Sequence, residues 1–186
     1  MKLLVINGPN LNFLGIREKG IYGTQDYQYL VNLIEQKAQE TGCEIEIWQS
    51  NHEGAIIDKI QEAYFNGTEG IIINPGAYTH YSYAIRDALA SITVPKVEIH
   101  ISDITQREEF RKTSVTKPAC DYQIYGQGLN GYLMAIDWVI NKKNCFLYFC
   151  IQNININNLS CIFFIYIRTY RQIIIAFSNF FIIDIF

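Results

Sequence analysis

Apolar and polar positions along this chain follow two alternating rhythms. Lys2 to Asn7 is an apolar run stopped by Gly8-Pro9, as expected of a strand buried on both faces. From Asp26 to Thr41, Tyr27, Leu30, Val31, Ile34 and Ala38 recur at helical spacing, and Gly42 suits the position just past a helix end. Glu44-Ile45-Glu46-Ile47-Trp48 alternates, which predicts a half-exposed or edge strand. Glu53 to Phe65 reads as a second helix with Ile56, Ile57, Ile60, Ala63 and Tyr64 inward. Gly70 to Asn74 then reads as a central strand halted by Pro75-Gly76. Ser82 to Ala90 predicts a helix, Lys96 to Ile101 a strand, and the residues around Arg107 to Phe110 a short helix. Tyr122 to Tyr125 predicts a last short strand and Leu129 to Ile140 a closing helix. Strands alternating with helices imply parallel pairing through right-handed crossovers. The expected fold is therefore α/β: a flavodoxin-like doubly wound parallel sheet of five strands, in three layers. Such sheets bind ligands beyond the C-terminal ends of their strands. Asn7-Gly8-Pro9-Asn10, Asn74-Pro75-Gly76 and His100-Ile101-Ser102 all stand at those ends, so three polar clusters converge on one rim.

The rhythm fails near residue 144. Residues 145–186 contain 12 Ile, 8 Phe and 5 Asn but no Gly, Pro, Glu or Lys, so nothing in them marks turns or an amphipathic face. A membrane span needs about 18 or more consecutive apolar residues. Leu159–Ile167 and Ile173–Phe186 are both shorter, and Arg168 and Arg171 divide them. Ile, Phe, Asn and Tyr are what AT-rich DNA encodes when read past a stop codon. The expected organisation is thus a functional domain at 1–144 and an apolar tail at 145–186 that is not part of it. Such a β-prone, charge-poor segment promotes aggregation when exposed.

The 186 residues carry a formal net charge of −3, which argues against a general nucleic-acid or anionic-membrane surface. Five cysteines fall in no disulfide framework, and His52, His80 and His100 make no zinc pattern, so neither metal nor cofactor is expected. The opening apolar run is too short for a signal peptide. A cytoplasmic protein with free thiols is the expectation.

Candidate chemistry centres on Glu98-Ile99-His100. Side chains two apart on a strand share a face, so carboxylate and imidazole can meet, fixing the tautomer and steadying the imidazolium. Arg107 and Arg111, four apart, would share one helix face, though helix charge patterning with Glu108 and Glu109 is the ordinary reading. Arg17 and Tyr22 lie among Gly15, Gly20 and Gly23, a composition compatible with a closing lid or with a plain flexible loop. A guanidinium beside a phenol can lower its pKa from about 10 and make it a base. Asn10 and Asn74, beside proline, serve either turns or neutral hydrogen bonds to hydroxyls. His80 competes with a helix-capping role, and Asp87 beside Arg86 with a solvated surface pair.

Several stretches together resemble one family. Gly8-Pro9-Asn10-Leu11-Asn12-Phe13-Leu14-Gly15-Ile16-Arg17, then Ile21-Tyr22-Gly23, is similar to the opening of the type II 3-dehydroquinate dehydratases. So are Gln49-Ser50-Asn51-His52-Glu53-Gly54, Ile73-Asn74-Pro75-Gly76-Ala77-Tyr78-Thr79-His80 and Val97-Glu98-Ile99-His100-Ile101-Ser102, with Arg107-Glu108-Glu109-Phe110-Arg111 after them. The resemblance spans residues 1–144. It implies a flavodoxin-like homododecamer, a tetramer of trimers, that dehydrates 3-dehydroquinate to 3-dehydroshikimate in the shikimate pathway without metal or cofactor. It further implies Tyr22 as the base at C2, held as phenolate by Arg17, and a water held by Asn10 against the enolate. His100, oriented by Glu98, would protonate the departing C1 hydroxyl. Asn74, His80, Ile101, Ser102 and Arg111 would bind substrate, Asp87 would reach a neighbouring subunit's site, and Arg107 would support the tyrosine and lid.

Asp103 stands where the family usually has asparagine, and 104–106 and 114–119 also depart from its pattern. Neither segment is expected to touch a proton-transfer residue, so substrate fine-tuning is what they would affect. Two other readings compete: a non-catalytic flavodoxin-like module for a nucleotide or flavin, and a degenerate relic of the enzyme. Pro9-Asn10-Leu11-Asn12 is not a phosphate cradle, which argues against the first. The expected catalytic residues are all present, which argues against the second.

Overall fold

The computed structural model describes residues 1–16 and 25–152, with side chains to Asn144. The chain divides into two units, Met1–Asn144 and Cys145–Phe186, and the fold belongs to the first. Five strands, β1 (Lys2–Asn7), β2 (Glu44–Gln49), β3 (Gly70–Asn74), β4 (Lys96–His100) and β5 (Tyr122–Tyr125), form one parallel sheet in the order β2-β1-β3-β4-β5. That is the flavodoxin-like doubly wound order. β2 is the edge strand its alternation predicts.

Among the described residues there are four α-helices, α1 (Tyr27–Thr41), α2 (Glu53–Phe65), α3 (Tyr83–Ala90) and α4 (Asn130–Gln152), and the sheet packs against the first three and the opening turns of the fourth. Period-2 alternation sorts the strand residues between two layers. Leu3, Val5, Ile72, Val97 and Ile99 pack with Leu30 and Ile34 of α1 and with Tyr132, Ala135, Ile136 and Val139 of α4. Leu4, Ile6, Ile71 and Ile73 pack on the other face with Ile56 and Ile60 of α2 and Ile85 and Leu89 of α3. Shortening one of these wholly buried leucines or isoleucines to alanine costs about 2–5 kcal/mol.

Caps set the helix limits. The Asp26 carboxylate accepts the Tyr29 N–H at 2.7 Å and Ser82 Oγ accepts that of Ile85 at 3.0 Å, each satisfying an orphan donor of a first turn. Gly42 ends α1 with φ 66°, the left-handed conformation glycine adopts without strain.

Two expectations change. The closing helix does not stop at Ile140 but runs to Gln152, since nothing after Ile140 breaks it: the added residues include neither glycine nor proline. Arg107 and Arg111 share no helix. Short 3₁₀ turns at Ile104–Gln106 and Glu109–Arg111 flank an extended Arg107 (φ −98°, ψ −171°). Asp103 caps the first turn, its carboxylate accepting the Thr105 N–H at 2.9 Å, and the chain then straightens.

Candidate active site

The C-terminal ends of β1, β3 and β4 meet in close register. Asn7 lies opposite Asn74, and Ile73 opposite Glu98. Beyond them the first loop packs directly on the third strand's turn. Gly8 donates its N–H to the Asn74 carbonyl at 2.7 Å, and a Cβ on Gly8 would sit 2.6 Å from Pro75 backbone atoms. Only glycine permits that approach. The loops enclose a cavity of about 140 Å³ lined by Asn10, Asn74, His80, His100, Ile101, Ser102, Arg107 and Arg111, among others. Three separate stretches of sequence thus converge as the topology requires.

Beneath the cavity, His100 Nε2 lies 2.7 Å from Glu98 Oε1. Val97 and Ile99 enter one apolar layer, so strand alternation turns Glu98 and His100 to the opposite face. Glu98 is wholly buried and meets a cradle of donors. Ser114 Oγ (2.8 Å), Thr79 Oγ1 (3.0 Å) and Gln123 Nε2 (2.8 Å) donate to Oε1, and Thr116 Oγ1 (2.5 Å) donates to Oε2. Burial alone would push this carboxyl up. The His100 hydrogen bond and charge, then the Thr116 and Ser114 hydroxyls, outweigh it and hold the carboxyl at about 2. An ionised carboxylate only accepts, so Nε2 of His100 carries its hydrogen and Nδ1 is left for proton transfer.

Ser114 and Thr116, in the segment expected to touch no proton-transfer residue, reach Glu98, the residue that orients His100, a role the sequence did not single out. Gln123 was also missed. The register that pairs Glu98 with Gln123 on β5 brings them together, and pairing register is not written in either strand alone.

His80 caps no helix. It closes a 3₁₀ turn, Gly76–His80, and its Nδ1 lies 2.8 Å from the Thr113 carbonyl. That carbonyl can only accept, so Nδ1 holds the hydrogen and Nε2 is the acceptor. Burial pushes the His80 pKa down despite the Thr113 bond, and the nearby His100 and Arg111 charges push it further, so the ring favours its neutral form. The two arginines are gathered by Glu108, whose Oε2 lies 3.0 Å from Arg111 Nε and 3.5 Å from Arg107 Nε. The Arg111 guanidinium also lies over the Phe110 ring, 4.9 Å from its centre.

Asn74 fills both roles open to it. Its Oδ1 accepts the Gly76 N–H at 3.1 Å, forming the turn, while Nδ2 donates to the buried Tyr132 hydroxyl at 3.0 Å. Tyr132 in turn donates to Asn7 Oδ1 at 2.7 Å, and Asn7 Nδ2 lies 3.5 Å from the Tyr27 hydroxyl at the start of α1. Sequence reasoning missed Tyr132, whose position in an apolar helix face reads as core. Asn10 is the one non-glycine residue with positive φ (65°) among the described residues, a conformation asparagine tolerates, and its N–H donates to Asn51 Oδ1 at 2.9 Å. Asp87 lies on α3 and does not line the cavity. Arg17 and Tyr22 lie outside the described residues. Among the described residues, no group of His, Cys, Asp and Glu could hold a metal ion, and no helix is long and apolar enough to cross a membrane.

A flavodoxin-like sheet with an imidazole–carboxylate pair beneath an arginine-walled pocket has the architecture of an α/β enzyme with its polar site at the strand ends. The model of the family described as Dehydroquinase class II matches residues 1–140. The 3-dehydroquinate dehydratase of Lachnospira eligens is 65% identical over 142 residues, covering 76% of this chain and 97% of that protein. The 3-dehydroquinate dehydratase of Thermotoga maritima is 55% identical over 142 residues, covering 76% and 96%. The crystal structure of a type II dehydroquinase from Butyrivibrio crossotus superposes with a TM-score of 0.74 at 69% identity, covering 75% of this chain and 97% of that one. The chain belongs to the class II dehydroquinase family.

Proposed function

We propose that this protein is a hydro-lyase that removes water reversibly from 3-dehydroquinate to give 3-dehydroshikimate, a step of the shikimate pathway. The observation that carries the reading is the buried Glu98–His100 pair opening into a pocket with Arg107 and Arg111 on its wall. The substrate is a carboxylate, which a guanidinium recognises by paired charge-assisted hydrogen bonds. Its ketone acidifies the neighbouring C2 proton, so no metal or cofactor is needed to start the reaction.

In this mechanism Tyr22, held as phenolate by Arg17, takes the C2 proton and leaves an enolate. A water held by Asn10 donates a hydrogen bond to the developing oxyanion. The enolate electrons then return to form the C1–C2 double bond and the C1–O bond breaks. His100 gives its Nδ1 proton to the departing hydroxyl, which leaves as water on the opposite face. Proton loss to Tyr22 and proton gain from His100 balance, and exchange through solvent resets both groups. Asn74, His80, Ile101, Ser102 and Arg111 bind the substrate's hydroxyls and carboxylate, and Arg107 supports the tyrosine and lid.

The same reading makes the enzyme a cytoplasmic homododecamer, a tetramer of trimers. Asp87, outside its own chain's pocket, is then free to reach a neighbouring subunit's site. Residues 1–144 are the functional domain and the apolar tail lies outside it. The test is ultraviolet absorbance of the full chain mixed with 3-dehydroquinate, tracking the conjugated enone of the product. A rise is expected. A flat trace from soluble protein, and from residues 1–144 assayed alike, would overturn the assignment.

A further inference from the structure

The carboxylate of Glu98 is surrounded more completely than orienting one imidazole requires. Besides His100, four side chains from three other elements reach it: Thr79 from the 3₁₀ turn, Ser114 and Thr116 from the segment after Arg111, and Gln123 from β5. Thr79, Thr116 and Glu98 are buried. The three hydroxyls also touch one another: Thr79 Oγ1 lies 2.8 Å from both Ser114 Oγ and Thr116 Oγ1. Each hydroxyl has one hydrogen to give. Ser114 Oγ also accepts the Lys117 N–H at 2.9 Å. The Thr116 contact with Oε2, at 2.5 Å, has the length of a hydroxyl donating to an anion rather than to a neutral acid. Backbone contacts hold the cradle in place, with Val115 donating its N–H to the Thr79 carbonyl at 2.7 Å.

We propose that Thr79, Ser114, Thr116 and Gln123 are positioning residues of the acid–base pair: they keep Glu98 an obligate anion, so the shared proton stays on His100. The inference rests on the proposed role of His100 as the acid. Without these donors the carboxylate would become a better base and draw that proton toward itself, weakening the acid that must protonate the leaving hydroxyl. The charged or titratable groups around Glu98 among the described residues are few. His100 lies on its own strand, His80 on the 3₁₀ turn and the Cys120 thiol after the Lys117–Ala119 turn, with Lys96 at the start of β4 and Arg111 beyond His80. Of these, His100 is the one that hydrogen-bonds the carboxylate, and the neutral donors add to its effect in holding the anion.

The experiment tracks the Glu98 carboxyl carbon by NMR across a pH titration of the full chain without substrate, its resonance assigned by its loss in Glu98→Gln. Thr116→Val removes one donor at nearly constant volume. Protonation of Glu98 should then move up by about one pH unit or more, a tenfold change in proton affinity. Thr116→Ser should restore the parent midpoint. An unchanged midpoint in a folded Thr116→Val would overturn the proposal, because a residue that only packs would leave it in place. If Thr116→Val fails to fold, Ser114→Ala, at a half-buried site, answers the same question with the same two outcomes. Because no turnover enters this readout, a chain inactive on 3-dehydroquinate would sink the proposed function while the titration still decides the cradle.

Discussion

Two charged side chains lie buried on the same face of β4, and they are satisfied in opposite ways. Lys96, at the N-terminal end, donates Nζ to the Ile92 and Val94 carbonyls at 2.7 and 3.1 Å. Glu98, two residues on, is met by four side-chain donors and an imidazole. Backbone carbonyls are available at any strand entry, so Lys96 needs no special sequence around it and closes the turn that precedes the strand. A carboxylate cannot use carbonyls. It requires donors, and within a sheet the backbone N–H groups are already spent on the ladder, so hydroxyls and an amide must come from elsewhere. That requirement marks the C-terminal half of β4 as a site, whereas the N-terminal end is accounted for by packing and hydrogen bonding.

The sharpest way to break the comparison is to remove the imidazole. His100→Ala should lower turnover about 10²–10⁴-fold, the range of a general acid, while substrate still binds through the arginines. Tyr22→Phe should behave likewise, and near-normal rates in either variant would remove that residue from the mechanism. Steady-state kinetics on 3-dehydroquinate reads both.

Next comes a pair of substitutions at the two buried charges. Glu98→Gln keeps the shape but loses the charge-assisted bond to His100, worth about 1.5–3 kcal/mol, which predicts turnover about 10–100-fold down. Lys96→Met leaves two carbonyls without their donor and should cost about 1–3 kcal/mol of stability in urea unfolding. Its turnover should match the parent, since a rise of about 13 Å along the strand separates Lys96 from His100. Equal loss of turnover in both variants would mean that β4 acts as a unit and the distinction between its two halves is false.

Acid titration divides the two charges by sign. Glu98 has a folded pKa of about 2, below its ordinary 4.5, so its stabilisation is complete above about 4.5 and is lost as pH falls toward 2. The loss is on the order of 3 kcal/mol. Lys96 runs the other way. Burial pushes its pKa down despite Asp121 and Cys120, so its charged form opposes folding, and its contribution improves as pH rises through the alkaline range. Urea unfolding at a series of pH values should show the acid loss in the parent and little of it in Glu98→Gln.

Much of this was legible in the sequence because it depends on period. β1, β3, β5 and α2 begin and end where the apolar pattern does, and the strand ends alone place Asn10, Asn74 and His100 on one rim. Glu98 and His100 share a face for the same reason. What could not be read depends on pairing and on short turns. Gln123 reaches Glu98 only through the β4–β5 register. Thr79, Ser114 and Thr116 meet across 3₁₀ and irregular segments that carry no periodic signal. Arg107 and Arg111 do reach the pocket, but Glu108 gathers them, not a common helix face. Tyr132 fits the apolar rhythm of α4, which conceals its hydroxyl.

The smallest effect is expected from the tail, and it tests whether the quiet end of β4 is also independent of residues past Asn144. Asp121 ties that end to the described part of α4: it accepts the Lys96 N–H at 2.8 Å and pairs with Lys142 at 2.6 Å. Removing residues 145–186 leaves Lys142 and Lys143 near a new C-terminus, where a helix end frays. The Lys142–Asp121 pair, and that of Lys143 with Glu69, should weaken, and surface pairs of this kind contribute about 0–1 kcal/mol each. The donors that hold Glu98 include neither lysine, so turnover should be unchanged and solubility improved by loss of an apolar, β-prone segment. Loss of fold on truncation after Asn144 would show that the continuation of α4 to Gln152 is part of the domain's stability rather than an appendage to it.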